Sequence, residues 1–207
     1  MSSVIDEFHK IYYSGTAPVW QKTYWLGVQT LKCPLDLWVY QEIIYKHKPN
    51  FIIETGTYNG GSALFLATVC DAVGNGTVIS IDILKKDYPT HKRIKYLTGS
   101  SIENDILKQI ELMIQNDQKV LVILDSDHKK EHVLQEMEIY SKLVTKDSYL
   151  IVEDTNINGH PVLSDFGDGP MEAVNEFLKT HKEFIVDKEK EKLLMTFNPD
   201  GYLKRTI

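Results

Sequence analysis

Two short runs hold most of the carboxylates that could act together. Asp125-Ser126-Asp127-His128 closes the apolar run 119–124, and Glu153-Asp154-Thr155-Asn156 closes the run 148–152. Each reads as a buried strand with a polar end, and neighbouring strands lie about 4.8 Å apart. Up to four carboxylates then share one small volume, where their repulsion raises their own pKa values. A hard divalent cation, Mg²⁺ first, relieves this by taking oxygen ligands while keeping some of its waters. Asp125, Asp127, Glu153 and Asp154 are therefore the candidate metal ligands. The competing reading, in which two of the acids cap loops and face solvent, ranks lower because uncompensated clustering is costly. His128 and His160 lie in or just after these runs and are candidate general bases, since imidazole titrates near neutral pH. Either histidine, taken alone, also reads as an ordinary loop residue. Asp127 is carried with them as a catalytic candidate.

Three further strand ends carry groups suited to a ligand. Glu54-Thr55-Gly56-Thr57-Tyr58-Asn59-Gly60-Gly61-Ser62 has glycines for a sharp turn and a close backbone approach. Its spacing differs from the G-x-G-x-x-G of dinucleotide sites, and the preceding acid suits an amino-bearing ligand better than a diphosphate. Asp82 ends the run 77–82, where a carboxylate can accept hydrogen bonds from ribose hydroxyls. Gly99, Ser100 and Ser101 offer a glycine and two hydroxyls, although Ser101 as a helix N-cap is the stronger local reading.

These residues need a frame. Continuous apolar runs alternate with helix-period segments, which predicts a mostly parallel sheet covered on both faces. Helices are expected from Pro34 to about 47, over about 61–72, and from Ser101, with Ile102, Ile106, Ile110 and Met113 on one face. A further helix carries Val133, Leu134, Met137 and Leu143, and Pro170 opens the last. The tail predicts an antiparallel pair, 183–186 with 193–197 and beyond. Ligands of such sheets bind outside the carboxyl ends of the strands. The polar segment Asn156–Asp168, about a dozen residues, is long for a plain connection and is expected to border the substrate pocket.

The chain of 207 residues reads as one domain, residues 34–207, preceded by an aromatic-rich extension, residues 1–33. Tyr12, Tyr13, Trp20, Tyr24 and Trp25 stand in the extension beside the turn residues Gly15 and Pro18. They read as packing residues over the domain or a neighbouring subunit, with a substrate lid as the alternative and self-association as a corollary. Cys33 and Cys70 lack C-x-x-C spacing and read as buried free thiols in a reducing, cytoplasmic setting. A net charge of −6 excludes a general nucleic-acid binder. No basic-then-apolar leader and no run of ~20 apolar residues is present, so neither export nor membrane insertion is expected.

At these residues the sequence resembles the cephalosporin hydroxylase-like family, itself similar to sugar O-methyltransferases of antibiotic and surface-glycan pathways. The matching stretches are Pro34-Leu35-Asp36-Leu37-Trp38 with Gln41, IIETGTYNGGSALFLA, VISIDI, LDSDH followed by HVLQEM, SYLIVEDT and GPMEAVNEFL, across residues 30–180 or so. The resemblance implies a Rossmann-like class I methyltransferase fold, a three-layer α/β sandwich with an antiparallel C-terminal edge strand. It implies S-adenosylmethionine as cofactor and Mg²⁺ as in catechol-type enzymes. Glu54, Gly56, Tyr58, Gly60 and Ser62 would surround the methionine part, Asp82 the ribose, and Gly99, Ser100 and Ser101 the adenine. The metal would fall to Asp127, Glu153 and Asp154, with Asp125 as alternative; the Val-Glu-Asp triplet departs from the Asp-Asn pair of catechol enzymes. The implied reaction is methylation of a small-molecule hydroxyl on a sugar, glycoside or phenol. The competing readings are an NAD-dependent oxidoreductase and an oxidative hydroxylase. An iron oxygenase would want two histidines and one carboxylate, whereas these strand ends are rich in carboxylates.

Overall fold

A computed structural model describes residues 3–14, 18–115 and 117–207; Gly15 lies outside them. The chain opens with α1 (Val4–Ser14), a 3₁₀ turn and a small hairpin of β1 (Tyr24–Trp25) and β2 (Val28–Gln29). Then follow α2 (Pro34–His47), β3 (Phe51–Thr55), α3 (Gly61–Val73), β4 (Thr77–Asp82), β5 (Ile94–Thr98) and α4 (Asn104–Met113). After them come β6 (Val120–Leu124), α5 (Lys130–Tyr140), β7 (Tyr149–Val152), α6 (Pro170–Phe177), β8 (Phe184–Val186) and β9 (Tyr202–Arg205). Pro34 starts α2 where its missing N–H costs nothing, and Lys48 in the left-handed conformation ends it.

Seven strands form one sheet in the order β5-β4-β3-β6-β7-β9-β8. All pairs from β5 to β7 are parallel, and β9 runs antiparallel to both its neighbours. The antiparallel strand thus sits one place in from the edge, with β8 outside it. Strands β6 and β7 bury nearly every side chain because both sheet faces are covered, which is why they read as unbroken apolar runs. On one face Ile106, Ile110, Met137, Tyr140, Val174 and Phe177 pack from α4, α5 and α6. On the other Ile43, Ile44, Leu66 and Cys70 pack from α2 and α3. Both cysteines are buried and free, as expected.

The chain leaves β3 toward β4 and β5 on one side, then crosses back to β6 on the other. The switch point falls between β3 and β6. Register pairs Thr55 with Leu124 and Leu124 with Val152, so Gly56, Asp125 and Glu153 emerge side by side. The amides of Asp125 and Glu153 donate to Thr55 O (3.1 Å) and Leu124 O (3.0 Å), fixing the backbone of each strand end.

Two expectations are corrected. Ser101 does not cap a helix: α4 starts at Asn104 after Glu103, and Ile102 lies before it. Residues 100–103 make a turn instead, and the Tyr140 hydroxyl donates to Ser101 O at 2.7 Å. Residues 193–197 are not a strand. They wrap over buried Asp36, whose carboxylate accepts from Thr196 Oγ1 (2.5 Å), Phe197 N (2.8 Å) and Tyr202 Oη (2.8 Å). The strand that pairs with β8 comes after the Asn198–Gly201 turn, as β9.

The N-terminal segment packs on its own domain. Trp25 meets Phe65 edge-on at 4.9 Å and donates to Thr68 Oγ1 at 3.0 Å. Phe197 stacks on His9 at 5.5 Å, and Asn156 Nδ2 sits 2.9 Å from His9 Nε2. Burial lowers the His9 pKa from its ordinary 6.5 to about 4, against the smaller opposing pull of Asp6 and Asp154. A base whose folded pKa is depressed is protonated first in the unfolded chain, so stability is lost as pH falls below 6.5 towards 4. Thermal melts followed by circular dichroism at pH 7 and pH 4.5 should therefore show a larger drop for wild type than for His9→Gln. Equal drops would mean that His9 contributes none of the acid sensitivity.

Candidate active site

Above the strand ends lies a cavity of about 540 Å³. Its wall includes Gly56, Tyr58, Asp82, Gly99, Ser100 and Ser101 on one side and Asp125, Asp127, His128 and Asp154 on the other. Ten of the residues singled out in the sequence thus face one space. Gly56 is required there: φ is +88°, and a Cβ would fall 1.8 Å from Asp125 O. Asp82 is held by the amides of Tyr58 and Leu84, one on each oxygen, both at 2.9 Å. Its remaining lone pairs stay open to a ligand.

Other candidates lie off this space. Glu54 is fully buried beneath it, with Oε2 accepting from Ser80 Oγ at 2.7 Å and Oε1 unpartnered among the described residues. Burial pushes its carboxyl up, with Lys32, Ser62 and Ser80 pulling the other way. Ser62 lines a narrow recess alongside, and Gly60 packs on Pro89. The start of α3 packs closely on the preceding segment at Gly61, where a Cβ would meet Thr30 Oγ1 at 2.2 Å and Gln29 O at 2.3 Å. His160 lies away from the cavity. Its Nε2 is 2.9 Å from Glu172 Oε1, and Glu172 also accepts from Gly169 N at 2.7 Å, so this histidine fastens the 156–168 loop to α6.

The carboxylates are divided by a residue the sequence reading missed. Lys32 is fully buried, ion-paired to Asp125 Oδ2 and to Glu153 Oε2, the latter at 2.7 Å. Glu153 Oε1 accepts from Tyr40 Oη at 2.9 Å, and Tyr40 in turn accepts from Asn198 Nδ2 at 2.8 Å. Both oxygens of Glu153 are engaged, and the residue faces Lys32 and Tyr40 rather than the cavity. Asp154, with φ at +54°, turns its carboxylate the opposite way. Its Oδ2 lies 3.2 Å from His128 Nε2, and Asp125 Oδ1 lies 4.0 Å from the same nitrogen. Asp125, His128 and Asp154 together bring one ligand atom each within 4.8 Å of one another. Asp127 is exposed at the rim, where it accepts from Lys129 N at 3.1 Å.

Burial would lower Lys32, but the charges of Asp125, Glu153 and Glu54 outweigh it and keep the ammonium protonated. Burial raises the Asp125 and Glu153 carboxyls, with Lys32 as the chief restraint on both. Burial also works against His128⁺, but the Asp154 hydrogen bond, then the charges of Asp154 and Asp125, lift its pKa to about 9. In the sequence Lys32 is an ordinary lysine between Leu31 and Cys33, with no signal of its partners. Tyr13 and Trp20, expected to pack over the domain with a substrate lid as the alternative, pack on Phe197 and also line the cavity.

The family described as Rhamnosyl O-methyltransferase/CmcI matches residues 17–206. The rhamnosyl O-methyltransferase of Mycobacterium leprae (strain TN) is 40% identical over 213 residues, covering 98% of this chain and 91% of its own. Among solved structures, CmcI with Mg and SAM superposes with a TM-score of 0.72 at 20% identity, over 100% of this chain and 86% of that one. MycE methyltransferase from the mycinamycin biosynthetic pathway, in complex with Mg, SAH and mycinamycin VI, superposes at 0.52 with 16% identity, over 71% of this chain and 41% of that one. Both structural likenesses are likenesses of fold.

Removing Lys32 leaves two buried carboxylates facing each other. Lys32→Met should therefore lower the unfolding free energy by about 3–5 kcal/mol, the cost of stranding a buried charge. Urea denaturation measures this directly, and a loss below about 1 kcal/mol, the range of a surface pair, would show that the ammonium is dispensable.

Proposed function

This chain belongs to the Rhamnosyl O-methyltransferase/CmcI family, and from that premise we infer an S-adenosylmethionine-dependent, Mg²⁺-assisted O-methyltransferase acting on a sugar hydroxyl. The observation that carries the reading is the pairing of two features in one cavity. Cavity-facing carboxylates stand at the ends of β6 and β7, and a nucleoside-type carboxylate, Asp82, stands across from them at the end of β4. The relatives support it: M. leprae has a rhamnosyl O-methyltransferase, and the CmcI structure carries Mg and SAM.

The donor set fits the implied groups. Asp125 and Asp154 offer hard oxygens to a divalent cation, with water completing its shell. Glu153 stays with Lys32 and keeps the site's inner side neutral. Asp82 would suit the ribose hydroxyls, Gly56 would admit the cofactor against the backbone, and Gly99, Ser100 and Ser101 would border the adenine. When bound, the two groups supply an electrophilic methyl on a sulfonium and a Lewis acid that lowers an alcohol's pKa. The chain's own part is to orient the hydroxyl and exclude water, which is worth ~7–11 kcal/mol when the geometry is good. His128 is held protonated at neutral pH by its hydrogen bond to Asp154 and by the charges of Asp154 and Asp125. Asp125 and Asp154 would hold the cation, and His128, whose Nε2 lies 3.2 Å from Asp154 Oδ2, would be the base at hand to take the hydroxyl proton.

The alternatives are weaker. A dinucleotide site would want G-x-G-x-x-G after its first strand, and the turn after β3 reads Gly56-Thr57-Tyr58-Asn59-Gly60-Gly61 instead. An iron hydroxylase needs two histidines and one carboxylate, and the group here is the reverse. Among the described residues no helix is long and apolar enough to cross a membrane. The buried thiols of Cys33 and Cys70 support a cytoplasmic setting. Exposed Val4, Phe8 and Ile11 on α1 support self-association, and the net charge of −6 supports partners other than nucleic acid.

Incubation with S-adenosylmethionine, MgCl₂ and an aryl α-L-rhamnoside should yield a monomethyl ether by mass spectrometry, lost on chelation and restored by Mg²⁺. Asp154→Asn should cut turnover by about 10²–10³, as loss of a preorganised electrostatic group does. Its S-adenosylhomocysteine affinity by calorimetry should stay within about threefold of wild type, since no cofactor contact is removed. Full turnover in chelator, or unchanged turnover by Asp154→Asn, would remove the metal from the mechanism.

A further inference from the structure

The N-terminal aromatics divide into two sets. Tyr12 packs edge-on against Phe197 at 6.0 Å, Trp25 is spent on Phe65 and Thr68, and Tyr24 faces solvent. Tyr13 and Trp20 instead line the cavity. Their rings stack at 5.3 Å with planes 22° apart, and Trp20 Nε1 donates to Tyr13 O at 3.1 Å, which ties the two positions together. Behind them Phe197 meets both rings edge-on, at 5.2 Å and 6.4 Å, and is itself stacked on His9. The pair is therefore a braced surface that cannot simply fold flat onto the core.

Its position is as informative as its rigidity. The charges of Asp154 and Asp125 both reach the Tyr13 phenol and, after burial, oppose its ionisation, so it stays a protonated donor. Among the described residues nothing hydrogen-bonds to that hydroxyl. The pair thus borders the carboxylate end of the cavity, where the methyl acceptor must sit, while the nucleoside groups Asp82 and Gly99–Ser101 lie on the other side. An aromatic face is electron-rich and apolar, and a free phenol beside it is polar. The partner that suits both is a pyranose, which has one face of C–H groups and a rim of hydroxyls.

We propose that Tyr13 and Trp20 are the platform on which the acceptor sugar lies, C–H face to the rings, with the Tyr13 hydroxyl donating to a sugar oxygen. This rests on the sugar-directed reading above. Both are positioning residues: they hold the acceptor and leave the cofactor untouched.

The test combines binding and turnover, with methyl α-L-rhamnopyranoside as the probe and enzyme saturated with S-adenosylhomocysteine or S-adenosylmethionine. Saturation-transfer NMR on wild type should give the strongest signals from the C–H protons of one ring face. Trp20→Ala should weaken rhamnoside binding about tenfold and Tyr13→Phe about three- to tenfold, the scale of one aromatic contact or one hydrogen bond. KM for the rhamnoside should rise accordingly, with the S-adenosylhomocysteine affinity within about twofold of wild type. Trp20→Phe, which keeps a ring, should recover most of the binding and guards against a folding defect in the alanine variant. Wild-type-like rhamnoside binding by Trp20→Ala and Tyr13→Phe overturns the proposal, as does a parallel loss of cofactor affinity in both. Failure of wild type to bind the rhamnoside also overturns it. Ring-dependent binding without any methyl transfer would uphold the platform while defeating the proposed activity.

Discussion

The site depends on one buried ammonium. Lys32 reaches under the ends of β6 and β7 and bridges Asp125 and Glu153, offsetting one of their two charges, with Glu54 near enough to add its own pull. Parallel pairing delivers these acids side by side whether or not anything offsets their charge. With Lys32 in place the inner carboxylate is matched from within, and the outer pair, Asp125 and Asp154, keeps oxygens toward the cavity. Tyr40 and Asn198 complete the shell, linking α2 and the turn before β9 to the same carboxylate. A buried charge pair is weak evidence for stability by itself. Here its consequence is arrangement: it decides which acids face inward and which face the ligand.

Much of this frame was legible in sequence because its signals are local. Apolar runs marked β3, β4, β6 and β7, and Pro34 and Pro170 marked helix starts to the residue. The polar residues just past each run therefore identified the cavity wall before any coordinates. Illegible were the contacts made across long separations. Lys32 and Asp125 share no periodicity, and nothing in Leu31-Lys32-Cys33 announces a counter-charge. Ser101 followed the N-cap rule locally, but Tyr140, far along the chain, holds its carbonyl in a turn. The 193–197 stretch has strand-like composition and yet is claimed by the donor-hungry carboxylate of Asp36. His160 drew notice by type alone, and Glu172 shows that its neighbourhood is a loop fastening.

The line drawn between extension and domain at residue 33 runs through the site. Thr30 and Gln29 pack on the start of α3, Lys32 sets the charge balance, and Tyr13 and Trp20 supply a wall. The sheet furnishes the strand ends, and the preceding segment furnishes a counter-charge and part of the wall. That division of labour agrees with the family match beginning at residue 17, inside the aromatic segment. It also agrees with structural likenesses that persist near 20% identity, since the sheet constrains shape more than side chains.

The strand order has a consequence for biosynthesis. Among the described residues β8 pairs with β9 alone, and the outer edge of β7 is likewise closed by β9. Both are translated before β9 exists. As the polypeptide emerges from the ribosome, β7 presents an open apolar edge and β8 has no neighbour, the condition in which edge strands recruit other chains. Closure waits for residues 202–205, so until that strand is made the edge of β7 is a point at which the nascent chain is open to aggregation.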